Sequence, residues 1–330
     1  MTEKRKTILI IAAVSVVFLT LLIIATFYDL EITRALADLK VAQYQSNNIF
    51  GRIFETIGEM PVYLITLFAA SIVIANLSHR KRTAAFIIII IILEIISVFA
   101  AYYAFHKLFK YLSEHFDIAS SGSWTTELSY LLLGIIVVAA VNILSRKYTL
   151  EFLNCVLPWA IIVLATVALS QFLTQVVIKI PAGRYRYCTM NTLNDFSYFT
   201  KWFCFNGKIS PSNAMLEMGI AKDGMKSFPS GHTCAAATLI TLTSLPMFLE
   251  EADTKKYKIV CWCSVVAFVL IVMLTRLILG KHFLSDVLIG GFVTVICYYI
   301  CLIFGKKLYD KKVKLQPLEK IKPVISEERI

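Results

Sequence analysis

Residues 258–304 read KIVCWCSVVAFVLIVMLTRLILGKHFLSDVLIGGFVTVICYYICLIF, two apolar runs (258–279 and 283–304) joined through Gly280-Lys281-His282. Each run has about the 20 residues that a helix needs to cross a hydrocarbon core of about 30 Å. Arg276, His282 and Asp286 stand at the junction, and lipid does not tolerate such groups without partners. His282 and Asp286 are four residues apart and therefore share one helical face. A carboxylate so placed accepts the proton of one imidazole nitrogen and leaves the other unprotonated and aimed outward. The stretch thus predicts two spanning helices with a chemically equipped turn between them.

Outward from this pair, further apolar runs lie near 8–28, 61–78, 83–105, 128–144, 152–178 and 233–249, about eight helices in all. The runs lack barrel-like alternation, so helices are the one way to satisfy their backbone inside lipid. The expected fold is an all-α, polytopic membrane bundle. Composition agrees: 58% of the 330 residues are hydrophobic and 17% charged, more apolar than a soluble domain of this length. The first run follows Lys4-Arg5-Lys6 as a signal peptide would, but it is long for an h-region and no small-x-small site follows, so it reads as an uncleaved span. Residues 29–60, polar with scattered apolar positions, read as a helix lying at the interface. Residues 1–305 form the expected membrane domain, with a catalytic core at about 150–304. Residues 306–330 form a basic tail, partly disordered by composition.

A formal charge of +11 would suit a nucleic-acid binder, but its distribution argues against that partner. Basic clusters fall at alternate helix ends: Lys4-Arg5-Lys6, Arg80-Lys81-Arg82, Arg146-Lys147, Lys255-Lys256-Lys258 and the tail. Together they put 19 of the 33 Lys and Arg on one side. This positive-inside pattern places both termini in the cytoplasm, with the tail near anionic lipid. The Ile- and Lys-rich, Gly-poor composition points to a bacterial plasma membrane. Six of the eight cysteines lie in or beside spans, as packing residues do. Cys188 and Cys204 share one long loop, where spacing leaves a disulfide open. Glu94, inside an Ile-rich run, is expected to be buried, neutral and structural, bonded to a neighbouring helix; a proton or ion path is the alternative.

Two more clusters sit at helix ends. Lys179, Arg184 and Arg186 follow the run ending near 178, where Pro181 and Gly183 stop the helix. Alone, such basic residues are ordinary flanks of a span. Pro229-Ser230-Gly231-His232 opens the next run. Free N–H groups and the helix dipole favour an anion there, though a His at a helix start is also a common interface residue. Gln171, Gln175 and Lys179, four apart, form a polar stripe leading into this region. The loop of about 180–230 is rich in aromatics (Phe196, Tyr198, Phe199, Trp202, Phe203, Phe205), suited either to anchoring at the interface or to gating a substrate.

Taken in order, Lys-x6-Arg (179 to 186), Pro-Ser-Gly-His (229 to 232) and Arg-x5-His-x3-Asp (276, 282, 286) resemble the three-part signature of the type-2 phosphatidic acid phosphatase family. The resemblance covers about 150–304 well. The family core has six spans, so the runs at 83–105 and 128–144 look like an added hairpin. Two positions depart from the pattern: Tyr187 where the family usually has Pro, and Thr275 where it usually has Ser. The resemblance implies that Lys179, Arg186, Arg276, the Ser230 hydroxyl and the Gly231 N–H bind phosphate oxygens. It implies that His282, oriented by Asp286, attacks phosphorus to form a phosphohistidine, and that His232 protonates the leaving oxygen and then activates water. Arg184 adds a candidate phosphate-binding cation without a family role. No metal or other cofactor is implied, and no zinc spacing, P-loop or dinucleotide fingerprint is present. The expected substrate is a lipid phosphate or pyrophosphate, such as undecaprenyl pyrophosphate, phosphatidylglycerol phosphate or phosphatidic acid. Phosphotransfer to a lipid or sugar acceptor, or non-catalytic phosphate binding, are the alternatives.

Overall fold

The computed structural model describes residues 3–81, 83–116, 122–249 and 255–314; Arg82 and residues 315–330 of the basic tail lie outside them. The regular elements among the described residues are all helical, with no strand among them. The helices are α1 (Glu3–Leu36), α2 (Ile49–Gly58), α3 (Met60–Ser78), α4 (Ala84–Phe116), α5 (Trp124–Ser145), α6 (Leu150–Phe172), α7 (Lys179–Ala182), α8 (Tyr187–Leu193), α9 (Asn213–Glu217), α10 (Gly231–Ala237), α11 (Lys255–Ile278) and α12 (Leu284–Lys314). A π-helical turn, Leu173–Ile178, runs from α6 into α7. Among the described residues seven helical stretches have the length and apolarity to span a membrane. The protein is a polytopic helical membrane protein. The run at 233–249 folds as the seven residues of α10 followed by a ten-residue 3-10 segment, Thr238–Met247.

Side chains that would be misplaced on a soluble protein cover several helices. Val14, Val17 and Phe27 of α1, Ile88 and Ile91 of α4, and Ile303 and Phe304 of α12 are all exposed. In water such surfaces would be aggregation sites; against acyl chains they carry no penalty.

The chain divides into two compact units. The one comprising 60–168, 238–265 and 296–330 contains the expected hairpin: α4 and α5 pack on each other and on α3. Leu67, Ala101 and Val138 form its buried centre. Glu94 on α4 accepts hydrogen bonds from Asn142 Nδ2 on α5 at 2.9 and 2.8 Å, so it does bond a neighbouring helix, but it is half-buried where burial was expected. At the ends of α3 and α6, Asn154 Oδ1 accepts from Asn76 (3.0 Å) and Arg80 (2.8 Å).

The other unit comprises 1–59, 169–237 and 266–295 and contains every candidate site residue. Here the structure corrects the reading of residues 29–60. They do not form one interfacial helix: 29–36 continue α1 past a non-helical residue at Tyr28, and α2 follows as a separate helix. Asn48 caps α2, its Oδ1 accepting from the Gly51 N–H at 2.8 Å. The long loop is also more structured than expected. It contains α8, α9 and a single 3-10 turn at Phe196–Tyr198. Cys188 is buried and Cys204 exposed, and both are free thiols, so no disulfide joins them. Part of the expected tail is helical, since α12 continues to Lys314.

Candidate active site

The start of α12 is held by two buried acids. Asp286 stands at its third position and accepts the N–H of Phe283, the residue before the helix, at 2.8 Å. This is the back-bond of a capping box. The same carboxylate oxygen accepts the Ser227 hydroxyl in a very short bond. Asp29, from the end of α1, accepts the Ser285 N–H at 2.9 Å and, also in a very short bond, the Ser285 hydroxyl. Both acids thus sit where free N–H groups and the helix dipole favour negative charge.

Arg184 links them. Its Nη1 donates to Asp286 Oδ1 at 2.6 Å and to Ser285 Oγ at 2.9 Å, its Nη2 to Asp29 Oδ2 at 2.9 Å, and its Nε to the Thr200 carbonyl at 2.8 Å. The guanidinium carbon also lies 4.2 Å from the Phe283 ring centroid. The donor fork of Arg184, a candidate phosphate-binding cation by sequence, is engaged here by two carboxylates, a hydroxyl and a carbonyl, and its side chain is 1% exposed. Arg184 follows Gly183, whose left-handed φ of 52° ends α7.

His282 is fully buried, its Nδ1 facing Asp286 Oδ2 at 3.6 Å. The pairing read from the four-residue offset is present, although the separation exceeds a hydrogen bond and Nδ1 has no other partner. Burial pushes the imidazole well below its usual pKa; the Asp286 carboxylate opposes this, while the Arg276 and Arg186 cations reinforce it. The result favours a neutral ring with a lone pair.

Two of the expected phosphate-binding cations, Arg186 and Arg276, lie close enough to act on this histidine. Arg186 donates from Nη2 to Asp223 at 2.7 Å, and Arg276 from Nη1 to Glu55 at 2.8 Å. Each keeps a buried Nε with no hydrogen-bond partner. Lys179 is buried, and a Cβ placed on Gly231 would lie 3.5 Å from its Nζ. Ser230 caps α10, its Oγ accepting from the Thr233 N–H at 3.3 Å and the Thr233 hydroxyl at 3.1 Å, which leaves the Ser230 proton free to donate. The Ser230 N–H bonds the Asp286 carbonyl at 2.9 Å, tying the Pro-Ser-Gly-His turn to α12. The polar stripe meets this turn: Thr174 and Gln171 donate to Cys234 Sγ at 3.3 Å each. The intervening π turn, a feature frequent at functional sites, delivers Lys179.

His232 is buried too, and its Nδ1 lies 3.1 Å from Glu59 Oε1. Glu59, Glu55, Asp29, Asp223 and Lys281 were not singled out in the sequence. Lys281 is 5% exposed, with Nζ 4.5 Å from the centroid of the Tyr44 ring and 3.3 Å from Gln45 Oε1. A signal for two of them existed: Glu55 and Glu59 are four apart in an otherwise apolar stretch. Of the two departures from the signature, Tyr187 takes the first position of α8, where Pro is well suited. Thr275 keeps a hydroxyl but donates it to the Val272 carbonyl at 2.9 Å. Among the described residues no three His, Cys, Asp or Glu side chains form a group fit to hold a metal ion.

Two buried histidines beside buried cations, on a polytopic helical bundle, define a class: an integral membrane protein with a buried cationic pocket suited to an anion. Residues 159–310 match the model of the PAP2 superfamily. That match and the membrane-helical architecture support a phosphatase-type function. No solved structure matches the chain.

Proposed function

We propose that the chain hydrolyses a lipid phosphate or lipid pyrophosphate through a phosphohistidine on His282, at a site facing away from the cytoplasm. One observation carries the reading. Two buried histidines, each within 4 Å of a carboxylate, stand with Lys179, Arg186 and Arg276, and both arginines keep an unpartnered buried Nε. Buried donors left unpaired cost about 1–3 kcal/mol each, and an anionic oxygen between them would remove that cost. His282, neutral and backed by Asp286, attacks phosphorus with the nitrogen remote from Asp286. The cations and the Ser230 hydroxyl stabilise the charge that gathers on the equatorial oxygens. His232 protonates the departing oxygen and then deprotonates water. Side-chain cations supply the charge, so no metal is needed. Helices exposed to lipid on the same chain suit a substrate carrying an acyl or prenyl tail.

The test is phosphate release from detergent-solubilised protein offered phosphatidic acid, phosphatidylglycerol phosphate and undecaprenyl pyrophosphate, with EDTA present. Release from at least one, inhibition by vanadate, and loss of turnover by about 10³-fold or more in His282→Ala are expected. A fully active His282→Ala variant, or a strict requirement for added Mg²⁺, would defeat the mechanism. Transfer to an added alcohol in preference to water would mark the protein as a phosphotransferase.

A further inference from the structure

We infer that Glu59 is a positioning residue for His232, setting the nitrogen from which the proton moves; this rests on the phosphatase reading above. Glu59 Oε1 lies 3.1 Å from His232 Nδ1, with the two side chains 14% and 8% exposed. The carboxylate is delivered by the C-terminal end of α2, where Glu59 follows Gly58. One turn earlier on the same helix, Glu55 holds Arg276 at 2.8 Å. A Cβ built on Gly58 would lie 3.6 Å from His232 Cδ2, so the imidazole edge packs against the helix that carries its carboxylate. Helix α2 lies outside the three-part signature and outside the segment matched to the superfamily, which begins at residue 159.

The chemistry follows from which imidazole nitrogen is occupied. With the Nδ1 proton given to Glu59, the proton that moves is carried on Nε2, on the far side of the ring. When His232 is an imidazolium, the carboxylate balances its charge, as the buried Asp does in a Ser-His-Asp site. In the first half-reaction the His282 lone pair forms an N–P bond. The P–O bond to the leaving group breaks, and its electron pair takes the Nε2 proton of His232. In the second, Nε2 accepts a proton from water while the water oxygen bonds phosphorus. The P–N bond then breaks and returns its pair to His282. Glu59 remains ionised throughout and exchanges no proton.

A general acid matters most where the leaving group is a poor one. An alkoxide such as that of phosphatidic acid needs the proton, whereas p-nitrophenolate departs without it. Glu59→Gln keeps the shape and removes the charge. It should slow single-turnover cleavage of phosphatidic acid by about 10²–10⁴-fold while leaving the first-turnover burst of p-nitrophenol from p-nitrophenyl phosphate within a few fold of the parent. The double variant Glu59→Gln/His232→Ala should be no slower on phosphatidic acid than His232→Ala alone. Equal losses on both substrates, no loss on either, or additive losses in the double variant would each overturn the inference. Should Glu59→Gln fail to fold, Glu59→Asp carries the same comparison, with vanadate inhibition of the burst reporting an intact phosphate pocket. A parent protein inactive on both substrates would instead defeat the phosphatase reading itself.

Discussion

Arg184 illustrates how a buried charge near a site can serve architecture instead of ligand binding. It is 1% exposed and shared between Asp29 and Asp286, which are themselves 2% and 0% exposed. Removing one member of a buried ionic group is far costlier than the group's net worth, because the remaining charges lose their compensation. Arg184→Met should therefore lower stability by about 3–5 kcal/mol, seen as a large fall in the thermal midpoint in detergent. The N–H groups of Phe283 and Ser285 would still favour the two acids, but cannot replace a full cation. Asp29→Asn leaves Arg184 paired one-to-one with Asp286 and should cost less. Combining it with Arg184→Met should recover part of the loss; a double variant less stable than Arg184→Met would contradict the shared-charge account. Lys is a poor substitute for Arg184, since one ammonium cannot bridge two carboxylates as a planar fork does.

At the level of elements, the site depends on the close approach of α12 to the Pro-Ser-Gly-His turn. A Cβ on Gly290 would run into the Ser230 carbonyl oxygen and lie 3.2 Å from both the Ser230 carbonyl carbon and nitrogen, all rigid backbone. A Cβ on the adjacent Gly291 would meet only the Thr233 methyl, at an ordinary 3.5 Å. Gly290→Ala should thus displace the turn that carries Ser230 and His232 and reduce turnover at least about tenfold, because sub-ångström misplacement of reacting groups is expensive. Gly291→Ala should stay near parental activity; equal effects at the two positions would show that the close approach does not matter. Much of this arrangement was legible in the sequence. Apolar runs announced the spans, and the i, i+4 offset announced the His282–Asp286 pairing. What could not be read was the contribution of α1 and α2. Asp29, Glu55 and Glu59 lie within residues 29–60, a stretch of mixed polar and apolar positions that resembles an interfacial helix by pattern. Periodicity tells which residues share a face, but not whether that face meets water or the cations of a distant segment. The partners of Arg184 were hidden for the same reason: Asp29 lies 155 residues away.

For the whole molecule, the proposal that the site faces away from the cytoplasm rests on the chain's order of crossings. With the N-terminus inside beside Lys4-Arg5-Lys6, α1 runs outward, and α2 with α3 returns to Arg80-Lys81. The α4–α5 hairpin leaves and returns to Arg146-Lys147, so α6 delivers Lys179 to the outside. The next segment must then cross inward for His232 at its start and Lys255-Lys256-Lys258 beyond its end to fall on opposite sides. It is short, but ten of its residues are 3-10 helical. The 3-10 rise of about 2.0 Å per residue, against 1.5 Å in α10, brings its length to about 30 Å, enough for the hydrocarbon core. From there α11 presents Arg276 outside, and α12 carries His282 at its outer end and Lys306-Lys307 at its inner one. In this proposed topology the basic clusters fall inside and the candidate site residues outside, the distribution the charge rule favours. The free, exposed Cys204 lies in the loop expected outside and is a native reporter. A membrane-impermeant maleimide applied to intact cells should label Cys204 in the parent. In a Cys204→Ser background, a cysteine introduced at Lys256, which is exposed between two late spans, should react only after permeabilisation. Labelling of Lys256→Cys in intact cells, with Cys204 protected in the parent, would invert the topology and place the phosphoryl chemistry in the cytoplasm.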